Sequence, residues 1–127
     1  MPALTSFDYA LVRVVPYVER GERINVGAVL FCRERGFLEA RVTLDVPRLL
    51  ALAPDLDLAG VQAHLEVIPR VCRGGDEAAP IGKLAQAQRF HWLVAPRSTV
   101  IQTGPAHCGL CDDPAATLDH LVATVVR

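Results

Sequence analysis

The sequence predicts an α+β domain: a four-stranded, mainly antiparallel sheet with helices packed on it. Three observations lead there. Apolar, β-branched runs near the N-terminus are separated by polar loops too short for a crossover, so they form an antiparallel meander. The middle of the chain then changes from alternating to helical spacing. The last segment is an amphipathic stretch behind an Asp-Pro start. With 127 residues, the chain has the size of a single domain.

Taken in order, "DYALVRVVPYV" is rich in β-branched and aromatic residues and stops at Pro16, which suits a strand over Asp8 to Val15. After the polar loop "ERGER", the run Val26 to Cys32 is almost continuously apolar, as in a strand covered on both faces. Gly36 supplies a tight hairpin, and Phe37 to Val42 alternates as a half-exposed strand. In "DVPRLLALAP", Asp45 caps a short helix with Pro47 in its first turn. Val61, Leu65, Ile68 and Cys72 recur at helical spacing after a cap at Asp57, and Gly74-Gly75 ends that helix. Pro69 cannot donate to the carbonyl of Leu65 and is expected to kink it. "PIGKLAQAQRFHWLV" begins as a helix and runs into an apolar segment, and "STVIQTG" has the composition of the fourth strand. Finally, Leu118, Leu121, Val122 and Val125 share one face of a C-terminal helix, with Asp113 as its cap and Pro114 at its first position.

Composition narrows the function classes. Apolar residues make up 51% and charged residues 21%, which supports a buried core and argues against disorder. The net charge of -1, with both signs interspersed, provides no basic field for a phosphate backbone, so nucleic acid is not expected as a partner. "MPALTSFDYA" lacks a basic start followed by an apolar run, and no apolar stretch approaches the roughly 18 residues a membrane span needs. A cytoplasmic protein without a membrane partner is expected. Cys32, Cys72, Cys108 and Cys111 then read as thiols rather than disulfides, the first two as small buried hydrophobes.

The most suggestive stretch is "AHCGLCDDP", with a histidine, a C-x-x-C pair and two aspartates. A zinc site needs four ligands, and the stretch offers three with no second ligand pair at matching spacing. A redox pair needs its thiolate near a cation or a free helix N-terminus, whereas Asp112 and Asp113 directly follow Cys111. The reading adopted is a loop turning at Gly104-Pro105 and Gly109 that delivers the chain to a capped helix, with no metal and no cofactor. Arg13 interrupts an apolar strand, and such an arginine is usually paired with a carboxylate, with substrate binding as the second reading. Asn25 is expected to cap a turn, with ligand binding as the second reading, and Arg97 with Ser98 in "APRSTV" to pair structurally or to hold an anion. His91 and Trp92 read as core or interface residues, His64 and His120 as solvent-facing or core-edge histidines. No nucleophile elbow, P-loop, dinucleotide fingerprint or H-E-x-x-H is present.

Together, "YALVRVVPYVERGERINVGAVLFC" and "RFHWLVAPRSTVIQTGPAHCGLCDDPAATLDHL" resemble a bacterial family, domain of unknown function 3037, over nearly the whole chain. The resemblance implies a small cytoplasmic bacterial protein, often encoded beside a HipA-like kinase, and it carries over no activity. The family pattern H-x-G-L-x-D-D-P matches His107, Gly109, Asp112 and Pro114, and does not require Cys108 or Cys111 to be cysteine.

Two function classes remain. The first is a binding or accessory module acting with a protein partner such as the HipA-like kinase. The second is a small enzyme using Arg13, Arg97, Ser98, His107 and Asp112 around an anionic or phosphate-bearing substrate, with the arginines as anion clamps and His107 as general acid or base. The enzyme reading requires these side chains to converge on one pocket. Of the two loops flanking the fourth strand, the one carrying His107 and Asp112 is expected to bind the partner or ligand, because an imidazole beside a helix N-terminus can hold an anion and exchange a proton.

Overall fold

The computed structural model describes residues 4–17, 20, 22–75, 78, 80–95 and 100–125. Three strands, β1 (Thr5–Val14), β2 (Ile24–Cys32) and β3 (Phe37–Val42), form the expected antiparallel meander. Gly36, at φ 59, makes the tight β2–β3 turn. Helices α1 (Val46–Leu52) and α2 (Leu58–Arg73) follow, then a 3-10 turn at Ile81–Lys83 and helix α3 (Gln86–Val94). The Asp45 and Asp57 carboxylates accept from the amides of Arg48 and Gly60, as their positions ahead of apolar helical runs indicated. Pro69 lies within α2, which continues to Arg73 and ends where Gly74 takes φ 76.

The chain then returns to the sheet as β4 (Ile101–Thr103) and β5 (His107–Cys111), before closing with α4 (Pro114–Val125). Both strands lie end to end along one edge of β1, β4 opposite Val12 to Val14 and β5 opposite Thr5 to Tyr9. The Gly104 amide, between them, donates to the Leu11 carbonyl at 2.9 Å. The sheet therefore has five strands rather than four. The segment expected to be a loop is largely strand, because the edge of β1 left open beyond β4 offers its backbone a ladder.

The sheet separates two apolar layers. On one face, Val12, Val14, Val29, Phe31, Leu38 and Ala40 meet Val61, Leu65 and Ile68 of α2 and Phe90 and Leu93 of α3. On the other, Phe7, Ala28, Leu30, Cys32 and Cys111 meet Leu118 of α4. Cys32 and Cys72 are buried as expected. Of the two readings given to His91 and Trp92, core or interface, the core one does not hold: both stand exposed on α3, because Phe90 and Leu93 occupy its inward side. Among the described residues no helix is long and apolar enough to cross a membrane.

Candidate functional site

The strand assignment of His107–Cys111 fixes the direction of each side chain in the C-x-x-C stretch. Residues on a strand alternate between faces, so positions three apart point to opposite sides. Cys111 lies across from Thr5, on the α4 side: Thr5 Oγ1 donates to its carbonyl at 3.2 Å and lies 4.0 Å from its sulfur. The same hydroxyl is 3.4 Å from Cys32 Sγ, and burial is the main cause that pushes the Cys111 thiol up. Cys108 lies across from Asp8 on the opposite face and is exposed. One strand cannot bring these two sulfurs onto a common metal or into a disulfide without being unpaired. Among the described residues, no group of three or more His, Cys, Asp or Glu is placed to hold a metal ion.

His107 projects on the α4 side opposite Tyr9, with ring centroids 5.4 Å apart, and it is exposed. Asp112 is exposed beyond the end of β5, while Asp113 caps α4 by accepting from the Ala116 amide at 3.3 Å. Arg13 sits four residues along β1 from Tyr9, a rise of roughly 13 Å. His107 and Arg13 thus belong to separate places on this face, and Asp112 lies farther still, past β5. Arg97 and Ser98 lie outside the described residues. The described members of the postulated catalytic set do not converge.

Two expectations change at the Arg13 end. Asn25 does not cap a turn; it lies in β2, and its Nδ2 donates at 3.4 Å to the Val125 carbonyl, securing the last turn of α4. Its place follows from a bulge: Val12 faces Gly27 while Arg13 faces Asn25, leaving Val26 as the extra residue on β2. Arg13 has no carboxylate partner among the described residues, and its buried Nε meets no acceptor. Burial first, and the charge of Arg23 second, push its guanidinium below the ordinary arginine value.

Two surface features stand out, the second within the stretch that the sequence already marked as the most suggestive. An apolar groove of about 340 Å³ runs between α2, α3 and β4, bordered by His64, Val67, Trp92 and Ile101. Trp92, read from sequence as a core or interface residue, is the aromatic on its rim. Among the described lining residues His64 is the one titratable group. The second feature is β5 itself. Among the described residues only β1 pairs with it, so its outer backbone edge is open, and Leu110 is 66% exposed beside it.

No curated protein and no solved structure matches the chain. A family model does, over residues 9–126, and its description is that of a protein of unknown function. On that match across nearly its whole length, the chain belongs to the DUF3037 family.

Proposed function

We propose that the protein is a binding module rather than an enzyme, an accessory component that captures a protein partner by strand addition along the outer edge of β5. The observation that carries this reading is the open, weakly protected edge from His107 to Cys111, with an exposed leucine beside it. Sheet edges invite pairing with other chains, and proteins usually blunt them with charge, proline or a covering element. The opposite edge strand, β3, has such protection: Arg41 bonds Glu39 at 3.0 Å and Asp119 of α4 at 3.3 Å. The sequence of β5, "HCGLC", holds neither a carboxylate nor a lysine or arginine.

An added strand would satisfy the outward amides and carbonyls of β5, and an apolar side chain on it would cover Leu110. His107, on the other face of the same strand, would contact alternate residues of the partner. The HipA-like kinase suggested by the family resemblance is the partner to test first. Hydrogen exchange read by mass spectrometry on a mixture of the two proteins should show slower exchange at 107–111, and Leu110→Asp and His107→Ala should each weaken binding while melting as the unmodified chain does. Unchanged exchange at 107–111 together with full binding by Leu110→Asp would refute the reading.

A further inference from the structure

The face of the β1–β5 pair turned away from α4 is bare. Asp8 lies across from Cys108 and Ser6 across from Leu110, and all four residues are exposed. Leu110 and Leu4, at 66% and 64%, are the most exposed large apolar residues among those described, and Leu4 stands two residues ahead of Ser6. The helices find their main strand contacts elsewhere: α4 on β2 and β3, α3 on β2, and α2 on β3 and β4. The approach to the outer edge of β5 is therefore open. At the midpoint of that strand, Gly109 is covered from the α4 side by Phe7, since a Cβ on the glycine would stand 2.8 Å from the ring. The ring supplies the packing that the glycine lacks and holds the middle of β5 on the sheet.

The edge is also complementary to itself. Turned about a two-fold axis normal to the sheet and beside Gly109, a second β5 runs antiparallel to the first and keeps the same residues on the same face. All five positions then pair: Gly109 with Gly109, and, twice each, Cys108 with Leu110 and His107 with Cys111. On the bare face each Leu110 is covered by Cys108 of the second copy, and the two leucines become diagonal neighbours across the axis. No like charges are opposed, because β5 holds no Asp, Glu, Lys or Arg, and Asp112, the next position out, falls across from Ala106. A foreign strand needs its own match to this pattern. A second copy carries the match by symmetry and is present wherever the protein is.

We infer that the free protein closes its β5 edge with a second copy of itself, forming a two-fold dimer in which the two sheets are continuous through paired Gly109 residues. The inference rests on the reading of β5 as an edge open to strand addition, and it adds a regulation to that reading. A protein partner must displace the second copy before adding its own strand, so capture is favoured when the protein is dilute or the partner is in excess. Meanwhile the dimer shields an edge that the sequence of β5 does not protect by charge or proline.

Sedimentation equilibrium of the full chain from micromolar to millimolar concentration tests the inference. A monomer–dimer equilibrium is expected, with hydrogen exchange at 107–111 slowing as concentration rises. Cys108→Lys and Leu110→Glu should each weaken the dimer about tenfold or more, since each sets like charges diagonally across the axis and uncovers apolar surface. Combined in one chain, the two substitutions place a lysine across from a glutamate twice and should restore dimerisation, which a non-specific apolar contact would not do. Both positions are exposed, so the variants should melt close to the unmodified chain. A chain that stays monomeric up to millimolar concentration, or a dimer that neither single variant weakens, would overturn the inference. Slowed exchange at 107–111 in a mixture with the protein partner, in a chain that never dimerises, would overturn it while leaving strand capture standing. A dimer that responds to the charge pair, in a chain whose 107–111 exchange no partner protein slows, would uphold the self-pairing and refute the capture.

Discussion

Replacing Leu118 by alanine tests whether α4 seals one face of the sheet. Leu118 is 0% exposed and packs with Phe7, Ala28, Leu30, Cys32 and Cys111. Alanine removes three side-chain carbons, and at roughly 0.8 kcal/mol each their transfer from water accounts for about 2.5 kcal/mol. Backbone pairing between β1, β2 and β5 limits how far the layer can collapse, so a cavity contribution brings the expected loss to about 3–5 kcal/mol. Against a domain stability of roughly 5–15 kcal/mol, that is a large fraction. Leu110 provides the control, being the same residue type at 66% exposure, and Leu110→Ala should change stability by no more than about 0.5 kcal/mol. Urea denaturation of the three proteins, with unchanged slopes, gives the differences directly. A loss below about 1 kcal/mol for Leu118→Ala, or equal losses for the two variants, would show that α4 does not close this face.

Asp113→Ala removes the acceptor of the Ala116 amide and should cost about 1 kcal/mol, read as a lower melting midpoint, whereas Asp112→Ala should leave the midpoint nearly unchanged. Burial pushes the Cys72 thiol up to about 12, while an unfolded chain releases that proton near the ordinary thiol value of about 8.5. Between those values the unfolded state binds fewer protons than the folded one, so stability falls as pH rises, by up to roughly 1.4 kcal/mol per pH unit. Cys72→Ala should make that alkaline decline shallower in urea melts at pH 8 to about 10, and parallel curves for the two proteins would contradict the burial assigned to this thiol.

Much of the fold was legible because its signals are local. Val26 to Cys32 is nearly all apolar and lies between two sheet neighbours under helices on both sides. Asp45, Asp57 and Asp113 stand directly before apolar helical runs, and each carboxylate accepts an amide three residues on. What was not legible depended on partners distant in sequence. "HCGLC" has no β-branched residue and a central glycine, so its intrinsic signal for a strand is weak. Its strand character comes from the free edge of β1, and Thr5 and Cys111, paired across that edge, are 106 residues apart.

The same distinction separates the two ends of the candidate surface. Arg13 was conspicuous in sequence because a cation interrupts an apolar strand, and the usual resolution is a carboxylate. Whether that resolution holds is a tertiary matter: the shifted register at Val26 puts Asn25, not an acid, across β2, and β4 puts Gln102 across the other side. Both cross-strand neighbours are neutral, and the nearby charge that bears on Arg13 is another arginine. Stability alone would favour an apolar residue at position 13, since a buried donor without an acceptor weakens the folded state. The neighbouring strand positions show that the sheet accepts Leu11 and Val14 without difficulty. The guanidinium head lies against Gly104 instead, a neighbour that carries no charge.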